Sequence, residues 1–327
     1  MADYHRFTDR VAMTDALSGW RLRALLLIVL LSAAGYLVFS LWAGWHEVVA
    51  AIVRVGFGGI AVALALSLVN YGLRFLRWQK FLALLGHHIY APESLRIYIG
   101  GFGLTILPGK AGEAIRSVFL KQHGVSYPES LAAFFSEHFS NLISMLLLVA
   151  IGLWIYPPAR PLVVILAVII VIALGVLQQT RWLKALERYA QPRLPARIAR
   201  VAAALFEIVL HSGKCFRPSM LLYGLTLGLI AWGAEGFAFY YIMQLLGSDL
   251  SISTALFIYA FSMLVGALSF LPGGLGGAEA TMIALLMLNH IAQPQAVAAT
   301  VLIRLATLWF AVGLGIFALT IKQRFPR

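Results

Sequence analysis

Charge is what this sequence lacks. Only 12% of its 327 residues are Asp, Glu, Lys or Arg and 61% are apolar, whereas an ordinary soluble domain carries about a quarter charged residues. A water-soluble fold is thereby excluded. The single cysteine excludes a disulfide-built secreted module. The absence of a sustained heptad and of polar low-complexity stretches excludes a coiled coil and a disordered regulator. Catalytic and nucleotide motifs are missing too: no His/Cys/Asp cluster at metal spacing, no GxSxG, no Walker loop and no acidic pair for a metal-bound diphosphate. The expectation is a protein that is not an enzyme, holds no metal or cofactor and is not an ATP-driven pump. Acidic residues are scarce even among the charges, 13 against 25 Lys and Arg, for a net charge of +12. Such an excess suits nucleic acid, but in a chain this apolar it is first a statement about topology.

What the sequence does have is lipid-compatible length. Mean hydropathy is +0.88, and apolar runs of about 20 residues, enough to cross a bilayer, lie at 24–43, 58–76, 130–156, 161–177, 219–246 and 296–320. The expected fold is an all-α polytopic membrane protein with six full spans. The first run is followed by Trp42, Gly44 and Trp45 without a cleavage signal, so it reads as a retained anchor.

Lys and Arg then assign the sides. Arg6, Arg10, Arg21 and Arg23 precede the first span, Arg77, Lys80 and Arg96 follow the second, and eight more crowd 178–217, while only Arg54 and Arg160 fall in loops of the other side. The positive-inside rule predicts a cytoplasmic N-terminus (1–23), a cytoplasmic connector (178–217) and a cytoplasmic tail (321–327) around one transmembrane domain of 24–320. Most of the +12 is explained without nucleic acid. "RWLKALERYA" and "ARIARVAAALFEIVLH" in the connector are basic and amphipathic at helical spacing. They suit either an anionic inner leaflet or a packed joint between two halves. Cys215, on the reducing side, is assigned no role.

Two segments are not simple spans. In "RIYIGGFGLTILPGKAGEAIRSVFLK", 96–121, about eleven apolar residues lie on each side of Pro108. Such limbs are roughly 16 Å long, half a bilayer, and predict a re-entrant hairpin broken at Pro108 and Gly109. The segment 255–290 breaks at a similar "LPGG", Pro272, Gly273 and Gly274, and either re-enters or crosses twice. Glu113 and Glu279, Pro128 and Pro294, and His138 and Arg304 are each separated by 166 residues. That spacing predicts a repeat of span, hairpin, span, with copies at about 58–156 and 219–320. By the count of crossings the copies are inverted, the arrangement that offers two related gates to the two sides of a membrane.

Re-entrant backbone at membrane depth implies a cavity. After each break a helix restarts, near Ala111 and Gly277, with unpaired N–H groups and a positive dipole end suited to an anion, and Lys110 and Arg116 add charge at the first tip. Glu113, Glu137, Glu235 and Glu279 lie in apolar elements, where each costs about 2.5–3.5 kcal/mol unpaired at a helix centre. Glu113 and Glu279 suit either a helix cap or direct participation in transport. Glu137 and His138 suit either a coupling proton or an interhelical hydrogen bond. Arg304 lies too deep to snorkel and calls for a partner such as Glu279 or Glu113. Arg74 and Arg77 read either as interfacial anchors or as a phosphate fork.

The "LPGKAGEAIR" turn, the later "LPGGLGGAEA" turn, "RWQKFL" after the second span and "LIRLATLWF" in the last resemble the lysylphosphatidylglycerol synthase transmembrane, or flippase-like, family over roughly 20–322. The resemblance implies lipid movement between leaflets, carried by Arg74, Arg77, Pro108, Glu113, Arg116, Pro272, Gly273, Gly274, Glu279 and Arg304. It includes membrane halves of enzymes that aminoacylate a phospholipid. The sequence ends seven residues after its last span, so that soluble domain is not expected here. The reading is a bacterial inner-membrane flippase for a phosphate-bearing headgroup. The alternatives are an ion-coupled transporter of a soluble solute and an accessory scaffold for a lipid- or glycan-modifying enzyme.

Overall fold

The computed structural model describes Gly35 and residues 45–105, 116–154, 156–269 and 271–320. The predicted first span, the connector-side termini and the first hairpin tip with Pro108, Gly109, Lys110 and Glu113 lie outside these residues. Every regular element among the described residues is helical. Five helices have the length and apolarity to cross a membrane, and they match the five predicted spans after the first. The chain is an all-α polytopic membrane protein.

The first described helix, α1 (Trp45–Leu84), is far longer than the predicted 58–76 and is interrupted at Gly56, whose φ of 67° only glycine adopts readily. Arg74, Arg77 and Lys80 lower the hydropathy of its last turns without ending the helix. Arg74 and Arg77 therefore sit inside the protein, 9% and 0% exposed, and are not interfacial anchors. The first hairpin follows with α2 (Ala91–Phe102) and α3 (Arg116–Lys121). Next comes α4 (Tyr127–Ile151), started by a capping box in which the Ser126 hydroxyl accepts from Glu129 N–H and the Glu129 carboxylate accepts from Ser126 N–H. After α5 (Arg160–Gln178) the basic connector forms α6 (Thr180–Ala190) and α7 (Ala196–Cys215).

The second half begins with α8 (Pro218–Leu245). Its hairpin is α9 (Ile252–Leu268) and α10 (Gly277–Leu288), limbs of 17 and 12 residues. At 1.5 Å per residue these reach roughly 25 and 18 Å, short of a 30 Å hydrocarbon core. The geometry favours re-entry over two crossings. The last span is α11 (Gln293–Arg304), a π-helical turn (Leu305–Trp309) and α12 (Phe310–Thr320).

The spacing of 166 reappears in the elements themselves. Phe102 and Leu268 end the first hairpin limbs, Tyr127 and Gln293 begin the long helices, and Gly124 and His290, both at positive φ, stand before them. The halves exchange partners: α2 packs on α12, and α9 packs on α4. Where α2 crosses α12 the backbones touch, since a Cβ built on Gly315 falls 2.0 Å from the Gly103 nitrogen. Where α9 crosses α4, a Cβ on Gly152 falls 2.3 Å from the Phe257 side chain.

Helices α1 and α8 run antiparallel through the centre, with Asn70 Nδ2 donating to the Ala231 carbonyl and Arg77 Nη1 to that of Gly224. The connector is split in character. The end of α7 is packed, with Ser212 donating to the Ala132 carbonyl of α4 and Cys215 fully buried, its thiol pushed up to about 11 by that burial. Helix α6 has no buried residue.

Candidate functional site

Two ion-pair clusters form where the hairpins meet the central helices. In the first, Glu137 of α4 is fully buried and accepts from Arg116 Nη1 at 2.9 Å, Arg74 Nη2 at 3.3 Å and the Tyr98 hydroxyl at 2.6 Å. Burying an ionised carboxylate is tolerable when it is paired and hydrogen-bonded in this way. Arg116 lies over the Tyr98 ring, 4.2 Å from its centroid, and Arg74 faces Phe102 and Trp232. Arg77 completes the cluster from below, donating to Asn141 Oδ1 and to the Glu137 carbonyl. Gly228 leaves it space, because a Cβ there falls 2.9 Å from Arg77 Nη1.

In the second cluster Arg304 Nε donates to Glu279 at 2.6 Å and Nη2 to the Gly273 carbonyl at 2.9 Å. The other Glu279 oxygen accepts from Gly276 N–H at 2.7 Å. Glu279 thus caps its own helix, one of the roles open to it from the sequence, and also binds Arg304. The bonded N–H is that of Gly276, the residue directly before α10. Gly273, Gly274 and Gly276 all take positive φ, and Gly274 packs against the Gly266 backbone, so the tip needs glycine.

Between the clusters lies a cavity of about 380 Å³, within the range of small-molecule sites. Arg74, Glu235 and Arg304 line it together with His138, Asn141, Tyr71, Tyr259 and Trp232. Phe135 and Leu271 line it too while remaining 41% and 48% exposed. Among the described residues, its exposed lining is therefore apolar. Of the adjacent pair Glu137 and His138, only His138 lines the cavity, as the 100° between neighbours on a helix requires. Its Nδ1 lies 3.0 Å from the Phe134 carbonyl.

The structure thus brings Arg74, Glu235, Gly273, Gly274, Arg304 and His138 to one cavity, and holds Arg77, Arg116, Glu137 and Glu279 behind its wall. Lys110, Glu113, Pro108 and Gly109 are outside the described residues. Among the described residues there is no cluster of three potential metal ligands. Sequence reasoning missed Tyr98, Asn141, Tyr71 and Tyr259. Asn70 and Asn141 were detectable as amides inside apolar spans; the tyrosines carry no such signal, being common at membrane interfaces as well.

The family model described as the lysylphosphatidylglycerol synthase TM region matches residues 17–315. A UPF0104 membrane protein of Pyrococcus horikoshii is 24% identical over 318 residues, covering 88% of this chain and 94% of the relative. A UPF0104 membrane protein of Methanothermobacter thermautotrophicus is 25% identical over 303 residues, covering 85% and 88%.

Proposed function

For a chain that belongs to the lysylphosphatidylglycerol synthase transmembrane family, we propose movement of a phosphate-bearing lipid headgroup between leaflets by alternating access. The observation that carries this reading is the cavity: Arg74 and Arg304, each held by a carboxylate behind the wall, face one space whose exposed lining, among the described residues, is apolar. Arginines pre-oriented by buried partners suit a phosphate, which takes planar donor forks well. An exposed apolar lining at Phe135 and Leu271 suits acyl chains that stay in the bilayer while the headgroup passes. That feature favours a lipid over a soluble solute. The paired hairpins supply one gate for each side.

In this reading the protein lies in a bacterial inner membrane with the connector face in the cytoplasm, as the Lys and Arg distribution asks. Helix α6 then rests on the anionic inner leaflet. Trp182, Leu186 and Tyr189, one helical stripe, are 77%, 54% and 62% exposed, and Arg181, Lys184 and Arg188 flank them, matching an apolar layer beneath negative headgroups.

Reconstitution in liposomes tests the transport reading. Purified protein should raise transbilayer movement of a labelled phosphate-bearing lipid, and Arg74→Ala or Arg304→Ala should return it to the level of empty liposomes. Wild-type movement no faster than in empty liposomes, across several such lipids, overturns the reading.

A further inference from the structure

Three buried carboxylates surround the cavity, and they are held differently. Glu137 is bound by two arginines and Glu279 by one. Glu235, 3% exposed on α8, has no cation within ion-pair distance among the described residues, and its Oε2 accepts only from the Tyr259 hydroxyl, at 2.6 Å. Unlike Glu137, it lines the cavity directly.

We propose that Glu235 is the proton-binding site of this cavity, and that it takes up a proton when a headgroup phosphate enters beside Arg74 and Arg304. The proposal rests on the transport reading for its ligand and on geometry for its proton. The groups facing Glu235 come from every helix packed on α8. They are Tyr71 and Arg74 of α1, His138 and Asn141 of α4, Tyr259 of α9 and Arg304 of α11. Both arginines act on Glu235 from a distance, but Arg74 is engaged by Glu137 and Asn70, and Arg304 by Glu279 and the Gly273 carbonyl. Their field at Glu235 is that of two ion pairs and not of two free cations.

A carboxylate buried beside a cavity without an ion-pair partner has no salt bridge to lose when it takes a proton. Tyr259 can donate to either form, to a carboxylate oxygen more strongly than to the carbonyl oxygen of the acid, so it tunes the proton site without blocking it. A phosphate entering the same space adds negative charge and draws on the arginines. Two anions in one low-dielectric cavity repel strongly, and a proton from solution on Glu235 removes the conflict. Entry of the anion and uptake of the proton are then linked, so a proton gradient can drive headgroup movement.

Infrared titration of purified protein separates this from the transport reading. Wild type should show a protonated-carboxyl band that grows as pH falls and grows again, with proton uptake from a weakly buffered medium, when glycerol 3-phosphate or inorganic phosphate is added. Glu235→Gln, which keeps an acceptor for Tyr259, should lose the band and the uptake. Tyr259→Phe should shift the titration and keep the band, and Glu129→Gln, outside the cavity, should change neither. A band that survives Glu235→Gln, or none in wild type, overturns the proposal. In liposomes an imposed pH gradient should accelerate lipid movement by wild type, while Glu235→Gln moves lipid at a rate indifferent to the gradient. A titrating Glu235 in a protein that moves no lipid would sink the transport reading and leave the proton site standing. Lipid movement with no titrating carboxyl would do the reverse.

Discussion

The two halves of this molecule solve one problem with the charges exchanged. In the first, the long helix α4 carries the carboxylate, Glu137, and the hairpin carries the arginine, Arg116. In the second, α11 carries the arginine, Arg304, and the hairpin carries the carboxylate, Glu279. Shifted by 166, Glu137 falls one residue before Arg304 and Arg116 one helical turn beyond Glu279. The two halves thus share the position of a hairpin-to-span bond while its polarity is reversed. A bond across that junction holds the hairpin limb to its span, and for this purpose either sign serves. What differs is company: Glu137 gathers Arg74, Arg116 and Tyr98, whereas Glu279 holds Arg304 and caps its own helix.

That difference is open to attack, and the largest effect falls on the first half. Glu137→Ala leaves two buried guanidinium groups without their carboxylate, and removing one partner of a buried pair costs about 3–5 kcal/mol. Thermal unfolding in detergent should show Glu137→Ala as less stable than Glu279→Ala, which takes the carboxylate from one arginine and from the Gly276 N–H. Restoring the pairs in reverse sharpens the comparison. Glu279→Arg with Arg304→Glu should recover only part of the lost stability, because the Gly273 carbonyl needs a donor where Arg304 stood and the Gly276 N–H needs an acceptor where Glu279 stood. Full recovery would mean that the pair acts alone.

How much of this was written in the sequence depends on the interaction. The spacing of 166 was legible because turns and caps are local: Pro128 and Pro294 start helices whatever surrounds them. The Arg304–Glu279 pair was legible as well, since an arginine eight residues into a span must have a partner. The Glu137 cluster was not. Of its arginines, Arg74 sits in turns whose own charges made the span look finished at 76, although α1 continues to Leu84. Packing against α8 and α4, invisible to a hydropathy window, keeps those turns helical and inside. The cap on α10 was legible in the same way, since Glu279 stands three residues after Gly276, whose N–H it accepts.

The two crossings between halves give the next test. At α2 and α12 a methyl group on Gly315 meets the Gly103 backbone, which cannot rotate away. At α4 and α9 a methyl group on Gly152 meets the Phe257 Cβ, which the α9 backbone fixes in place. Overpacking costs about 1–3 kcal/mol, so Gly315→Ala and Gly152→Ala should both sit at the upper end of that range. A clearly smaller shift in melting temperature for one variant would show that its helix pair yields.

The smallest effect concerns a feature that only the second half possesses. Leu305–Trp309 form a π turn directly after Arg304, while the equivalent stretch of α4 runs on as regular α-helix. A π turn displaces a carbonyl from the helical ladder, and Tyr71 of the first half donates its hydroxyl to the Thr307 carbonyl. Tyr71 and Thr307 both line the cavity, so the irregular turn that orients Arg304 is held by a helix of the opposite copy. Tyr71→Phe should cost about 0.5–1.5 kcal/mol, one hydrogen bond, read as a small fall in melting temperature. Its larger consequence should be on transport, because a loosened turn lets Arg304 drift from Glu279. Removing the same hydroxyl from Tyr98 takes a donor from Glu137, in a regular stretch of α4, and should leave the turn unaffected. If Tyr71→Phe leaves transport at the wild-type rate, the π turn is an accident of packing and not a device that aims Arg304.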